Sequence, residues 1–421
     1  MSRSFARSIA LFERAARVIP GGIFGHTNPA AALPLASPYY AARAAGCRYW
    51  DVDGNEYLDF LCAYGPIVLG YQHPEVEAAA EAQRREGSCF NHPSARMVEL
   101  AERLVSLVDF ADWAVFGKNG SDMTTWSLQV AREHTGRKKI LMAQGAYHGS
   151  HSWCTPGHGG LIEEDYAHIH AFVWNDLASF ESLVRRYRGQ VAGVIVTPFH
   201  HPAFGNSELP APGFLPAVQA ACRREGIVLI LDDVRCGFRL HLGGSHRHFG
   251  FEPDLICFSK ALANGYPLSA TLGRRELQRA AGRVFLTGSF WNNAVPMAAA
   301  LATLQILERD NVPAHLARIG AALREGFESL AARHGLGIRY TGADALPFVT
   351  FGEERNFYRS QTFCREVIRR GVFIHPHHNW FLCAAHQDAD VAEALAAVDA
   401  GFAAVVDEFG PTPAAADPGP R

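Results

Sequence analysis

Asp254-Leu255-Ile256-Cys257-Phe258-Ser259-Lys260 is the stretch on which the fold turns. An unbroken apolar run that ends on a lysine reads as a strand covered on both faces, with one charged side chain at its carboxyl end. A turn of small residues follows, Ala261-Leu262-Ala263-Asn264-Gly265. Outward from it, similar runs recur at Trp113 to Phe116, Lys139 to Met142, Val191 to Thr197, Ile227 to Leu231 and Leu268 to Leu272. Amphipathic stretches lie between them, at Ser121 to His134, Leu177 to Arg188 and Phe214 to Glu225. This alternation predicts an α/β domain built on a doubly wound, mostly parallel sheet.

From about Asn293 the pattern changes to two long helices, Ala294 to Arg309 and Pro313 to Arg333. Strands at Leu346 to Phe351 and Val372 to Ile374 and helices at Phe357 to Arg370 and Asp388 to Val406 complete a smaller α+β domain. Asp53-Gly54, between Tyr49-Trp50 and Tyr57-Leu58, signals a hairpin in the N-terminal segment that packs with this smaller domain. The expected division is an N-terminal segment over 1–65, a large domain over 66–300, a small domain over 301–410 and a flexible Pro- and Ala-rich tail over 411–421.

With 48% hydrophobic and 19% charged residues the chain can bury a sizeable core. A net charge of −3 with mixed signs excludes the basic stripe that nucleic-acid binding requires. Glu13 and Arg14 interrupt the first helix-like stretch, and no apolar run of about 18 residues occurs, so neither a secretory signal nor a membrane anchor is expected. Nine cysteines without C-x-x-C spacing predict reduced thiols and a cytoplasmic protein.

Only four lysines are present, Lys118, Lys138, Lys139 and Lys260. Lys260, at the end of a buried strand, falls in the crevice where open α/β sheets bind ligands, and desolvation there favours a nucleophilic neutral amine. Asp232 ends the strand Ile227 to Leu231 and is placed to pair with a protonated ring nitrogen. Asn119-Gly120-Ser121-Asp122 opens a helix, where backbone N–H groups, a hydroxyl and the positive helix end suit a phosphate dianion. Each also has a plainer reading: a lysine that snorkels, a turn cap and an ordinary N-cap.

Taken together the motifs resemble the class III aminotransferases among the fold type I pyridoxal phosphate (PLP) enzymes, and most closely the glutamate-1-semialdehyde aminomutase branch. Ile19-Pro20-Gly21-Gly22, Trp50 to Phe60, Tyr64 to Gly70 and His73-Pro74 are similar to the family's N-terminal segment. Asn119 to Asp122 stands at the phosphate loop, and Tyr147-His148-Gly149 matches the segment whose aromatic ring stacks on the cofactor. Asp232-Asp233-Val234 and Gly237-Phe238-Arg239 resemble the segment whose aspartate meets the pyridine nitrogen and whose valine packs on the ring. Ser259-Lys260 with Gly265 to Leu268 resembles the motif of the lysine that carries the cofactor, and Gly288-Ser289-Phe290 the segment whose hydroxyl reaches the neighbouring subunit's phosphate. Six motifs in register make coincidence very improbable. The resemblance implies Lys260 and Asp232 as catalytic residues, with Gly120, Ser121, Tyr147, His148, Val234 and Ser289 as further cofactor contacts. It also implies PLP as cofactor, a small-molecule amine as substrate and a homodimer with shared active sites.

The chain departs from the family at the substrate end. Counting on from Pro20, Asn28 takes the place of the aminomutases' carboxylate-binding arginine, and Thr197-Pro198 stands where Glu-Pro is usual. Lys118 and Arg235 add positive charge beside the cofactor, so the substrate is expected to carry an anionic group such as a phosphonate. The blander alternative pairs Arg235 with Asp233 or another acid and turns Lys118 to solvent. His200, in the pair His200-His201, and Trp153 are further candidate substrate contacts. Neither that pair nor His375, His377 and His378 has a carboxylate partner at ligand spacing, and no metal site is expected. A transaminase or aminomutase is the leading reading. A PLP-dependent ammonia-lyase acting on a hydroxyamino-phosphonate is the second, and a non-catalytic PLP-fold binding protein the third.

Overall fold

The structure, a computed structural model, describes residues 3–157, 159–202, 205–352, 354 and 356–412. The chain divides into two compact units, one made of Met1–His73, Phe204–Asn206 and His315–Arg421, the other of Pro74–Ala203 and Ser207–Ala314. The divisions at His73 and Ala314 assign the helix Ala294–Arg309 to the larger unit, where it packs on the helices Pro74–Glu86 and Ala95–Leu107. Most of the expected tail, residues 413–421, lies outside the described residues. Thr412 just before it bridges to Leu336 in the parallel sense, its carbonyl and hydroxyl oxygens accepting from Gly337 N.

In the first unit β1 (Ala41–Ala45), β2 (Arg48–Asp51) and β3 (Glu56–Asp59) form an antiparallel meander. The β2–β3 turn falls at the predicted Asp53-Gly54, with Gly54 at φ 88°, a left-handed conformation that glycine adopts without strain.

The second unit holds a seven-stranded sheet: β4 (Trp113–Gly117), β5 (Lys139–Ala143), β6 (Ile169–Phe172), β7 (Val191–Val196), β8 (Val228–Asp232), β9 (Leu255–Phe258) and β10 (Ser269–Gly273). Their order is β4-β10-β9-β8-β7-β5-β6. The block from β9 to β6 is parallel, and β10 runs antiparallel to both β9 and β4. Reversing twice, β4 points the same way as the parallel block. The carboxyl ends of β4, β5, β7, β8 and β9 therefore lie along one edge, where ligands of such sheets bind. All six residues of β7 and the four apolar residues that open β8 are buried, as their unbroken apolar sequence demands, and Asp232 at the end of β8 is buried with them. The helix Gly120–Thr135 supplies much of the covering layer through buried Met123, Trp126, Leu128 and Val130. It stops at Gly136, left-handed at φ 67°.

The first unit is completed by β11 (Ile338–Thr341) and β12 (Phe348–Phe351), an antiparallel pair, and by β13 (Val372–Phe373), which pairs parallel with β3. The N-terminal hairpin is thus one sheet with C-terminal chain, in the order β1-β2-β3-β13.

Candidate active site

At the helix start after β4, the Asp122 carboxylate accepts from the backbone N–H groups of Asn119 at 2.8 Å and Lys118 at 3.2 Å. This ties back the loop and leaves Gly120 and Ser121 in the first turn of a helix of 16 residues, an anion-binding end. A Cβ on Gly120 would lie 2.9 Å from both methyls of Val234, and one on Gly149 would lie 2.3 Å from Ser121 Oγ. Both glycines are therefore needed for close approach at the cradle. Ser121 Oγ accepts from Ser150 N at 3.0 Å, joining this turn to the loop after β5.

Asp232 at the end of β8 is 5% exposed. Its Oδ2 accepts from His148 Nδ1 at 2.8 Å and its Oδ1 from Val234 N at 3.2 Å. Each oxygen keeps a second lone pair for a further donor. The His148 ring is buried, and its Nε2 has no hydrogen-bond partner among the described residues. The Trp153 ring stacks on it at an interplanar angle of 16° with centroids 6.1 Å apart, while Trp153 Nε1 donates to Thr125 Oγ1 at 2.8 Å. The two aromatic residues of the Tyr147-His148 pair thus differ: Tyr147 is exposed and His148 orients the carboxylate.

Lys260 follows β9 directly in the left-handed region, at φ 43°. That conformation costs a residue with a Cβ about 1–2 kcal/mol, and such strain gathers at functional sites. Burial, then the nearby Arg235 and Arg239 guanidinium groups, pull its ammonium down to about 7. Asp232 opposes the shift. A large share of the amine is therefore neutral and nucleophilic at neutral pH. Arg239 is almost fully buried and Asp233 fully so, and burial raises the Asp233 carboxyl to about 7 while its Oδ2 accepts from Ser245 N at 2.7 Å. Neither was singled out for a role from sequence, since their approach to Lys260 and Ser245 depends on folding.

The remaining candidates are placed as follows. Lys118 Nζ donates to the carbonyl of Pro267 at 3.1 Å, a contact made possible by the pairing of β4 with β10. This holds the loop before β10. His200 is buried and stacks on Trp174 with centroids 5.7 Å apart. Burial and neighbouring His148 push it down to about 4, so it is a neutral ring at neutral pH. Ser289 is exposed, with Phe285 and Phe290 near it 85% and 65% exposed. Asn28 belongs to the other unit, where its Oδ1 caps the short helix Pro29–Ala32 by accepting from Ala30 N at 3.0 Å. His375, His377 and His378 lie in that unit as well.

An anion cradle at a helix end, a carboxylate at one strand end and a lysine of lowered proton affinity at the next define a PLP enzyme of fold type I. The phosphate suits the glycine-lined first turn, the ring nitrogen Asp232 and the aldehyde Lys260; the cradle that Cβ atoms would fill is the feature that makes the fit. The chain belongs to the class III aminotransferase family, whose description, aminotransferase class-III, matches over residues 32–397. It is 45% identical over 399 residues to an aminopentol aminotransferase of Sphingopyxis macrogoltabida, covering 95% of this chain and 94% of that one. It is 38% identical over 405 residues to a 3-aminobutyryl-CoA aminotransferase of Cloacimonas acidaminovorans, covering 95% and 97%. The solved structure of the FumI protein of Sphingopyxis sp. MTA144 with PLP superposes with a TM-score of 0.94 at 44% identity, covering 96% of this chain and 97% of that one. The protein is a PLP-dependent enzyme.

Proposed function

We propose that the enzyme is a transaminase for an amine that carries an anionic group away from the amine carbon and is not held by the family's carboxylate-binding arginine. The observation that carries the reading is the strand-end pair: a buried Lys260 whose proton affinity is lowered, beside an Asp232 that is fixed by His148. Bound PLP supplies an electron sink for the charge left when the amine carbon loses a proton. Lys260 anchors the cofactor and, once displaced by substrate, takes and returns that proton. Asp232 holds the positive charge of the ring nitrogen, and His148 keeps the carboxylate turned towards it. Gly120 and Ser121 receive the phosphate. The relatives' names, aminopentol and 3-aminobutyryl-CoA, denote amines rather than α-amino acids, which supports a substrate not held through an α-carboxylate.

Arg235 supports the anionic group, because its guanidinium lies close enough to Lys260 to lower that lysine's proton affinity. A charge-assisted hydrogen bond contributes about 1.5–3 kcal/mol, so Arg235→Ala should weaken binding of anionic amines roughly ten- to a hundredfold and leave neutral amines unchanged. The measurement is KM and kcat for amino- and hydroxyamino-phosphonates beside uncharged amines, with pyridoxamine phosphate and free ammonia followed together. Equal effects on both classes sink the anion reading, and ammonia release without an acceptor turns the assignment to a lyase.

The exposed Phe285 and Phe290 around Ser289 support a homodimer in which this hydroxyl serves the partner's phosphate. In mixed dimers of Ser289→Ala and Lys260→Ala, one site then keeps both its own lysine and the partner's serine. Cofactor retention at that site should return to the normal level. Retention no better than in the Ser289→Ala homodimer argues against shared sites. All nine cysteines are unbridged, and no helix among the described residues is long and apolar enough to cross a membrane. Both support the cytoplasm as the location.

A further inference from the structure

Three buried soft donors converge in the first unit, apart from everything assigned to PLP. Cys383 and His386 are spaced Cys-x-x-His, and Cys62 joins them from the turn that follows β3. Their ligand atoms all lie within 4.8 Å of one another, and each residue is 1% exposed or less. Cys383 Sγ is 3.4 Å from His386 Nδ1. Tetrahedral zinc with bonds of about 2.3 Å to sulfur and 2.0–2.1 Å to nitrogen gives a sulfur–nitrogen edge of about 3.6 Å, close to that distance.

The surroundings are those a metal-binding histidine uses. His386 Nε2 donates to the carbonyl of Asp59 at 3.1 Å, which sets the tautomer and leaves Nδ1 as the acceptor nitrogen, within reach of Cys383 Sγ. The carboxylate of the same Asp59 accepts from Leu61 N at 2.8 Å, Cys62 N at 3.1 Å and Tyr71 OH at 2.7 Å, and so fixes the backbone of the second ligand. Phe60 stacks on the imidazole with centroids 4.6 Å apart and an interplanar angle of 17°. Cys62, Ala63 and Tyr64 hold φ of 48°, 53° and 64°, an unfavourable left-handed run for residues with a Cβ. This run presents the Cys62 side chain to the cluster. The Cys383 amide donates to His386 Nδ1 at 3.0 Å.

We propose that Cys62, Cys383 and His386 bind a soft d10 cation, zinc(II). On binding, both thiols give up their protons to solvent, the hydrated cation sheds all but one of its waters as two sulfur–zinc bonds and one nitrogen–zinc bond form, the retained water completes the tetrahedron, and the Cys383 amide is released from Nδ1. Two thiolates and a neutral imidazole cancel the double charge, which a fully buried pocket requires. The cation ties the turn after β3 to the segment before the helix Asp388–Phe409. Neither histidine group noted in the sequence takes part; the signal was the Cys-x-x-His spacing together with a distant cysteine.

The test is elemental analysis of the purified holoenzyme for zinc and copper, followed by cobalt(II) exchange under reducing conditions. One zinc per chain is expected, released by a thiol-blocking mercurial. The cobalt form should show thiolate-to-metal absorption in the near ultraviolet and tetrahedral bands in the visible. Cys62→Ser, Cys383→Ser and His386→Gln should each lower the zinc content and weaken those bands; if a variant does not fold, the wild-type cobalt spectrum decides alone. Copper in place of zinc overturns the choice of metal. A folded wild-type protein that takes up neither zinc nor cobalt, or a Cys62–Cys383 disulfide in non-reducing peptide maps, overturns the site, leaving two buried cysteines that act as small apolar residues.

Discussion

Lys260→Ala is expected to lose covalent attachment of PLP and at least about 10³-fold in turnover, since one side chain supplies both the anchor and the general acid–base group. The cofactor should still bind, held at its phosphate by the turn at Gly120 and Ser121 and at its ring nitrogen by Asp232. Borohydride reduction of the wild type followed by peptide mapping should place the label on Lys260; label on Lys118, Lys138 or Lys139 would falsify the assignment. The same lysine predicts a pH dependence. Burial, Arg235 and Arg239 lower its folded-state pKa to about 7, so the amine becomes reactive as pH rises through that value. Capture of PLP by the apoenzyme should therefore be slow at pH 6 and approach a plateau by about pH 8, far below the ordinary lysine range near 10.4. The sign for stability agrees. Between about 7 and the unfolded pKa the unfolded chain binds the extra proton, so the apoenzyme gains stability from this group as pH rises across that window. A capture rate that keeps climbing past pH 9 would show that the lysine is not desolvated.

The parts of this design that could be read from sequence are those in which one strand carries the whole signal. β7, β8 and β9 are buried on both faces, so each is an unbroken apolar run, and the charged residue ending the run stands out as Asp232 or Lys260. β6 escaped because it is the sheet's edge strand, where Ile169 and His170 are half-buried and Ala171 exposed. β11 escaped for a similar reason, its four residues all being half-buried. The reversed direction of β10 leaves no mark in periodicity, since an antiparallel strand covered on both faces is as apolar as a parallel one. Contacts across the sheet were equally hidden. His148 leaves β5 and meets Asp232 of β8 over the intervening β7, 84 residues further along the chain. Lys118 finds the Pro267 carbonyl only because β4 pairs with β10.

The Asp232–His148 pair carries the second large expected effect. Asp232→Ala removes the anion that holds a positive charge on the ring nitrogen, and it leaves His148 Nδ1 buried with no acceptor. Loss of one preorganised electrostatic partner in a closed site costs about 10²- to 10³-fold, and here the loss should fall on proton removal rather than on cofactor binding, because the phosphate end is untouched. His148→Ala should cost less, since the carboxylate remains and loses only its orientation. His148→Gln, whose amide N–H can still reach the carboxylate, should recover part of that loss. Three measurements separate these expectations from simple unfolding. PLP retention after gel filtration should stay close to wild type in all three variants. A substrate deuterated at the amine carbon should show a larger isotope effect in Asp232→Ala than in the wild type, because proton removal has become the slow step. The order of turnover should run wild type, His148→Gln, His148→Ala, Asp232→Ala. Near-normal turnover in Asp232→Ala would move the role to another acid, and Asp233, fully buried and raised to about 7, is the nearest in sequence.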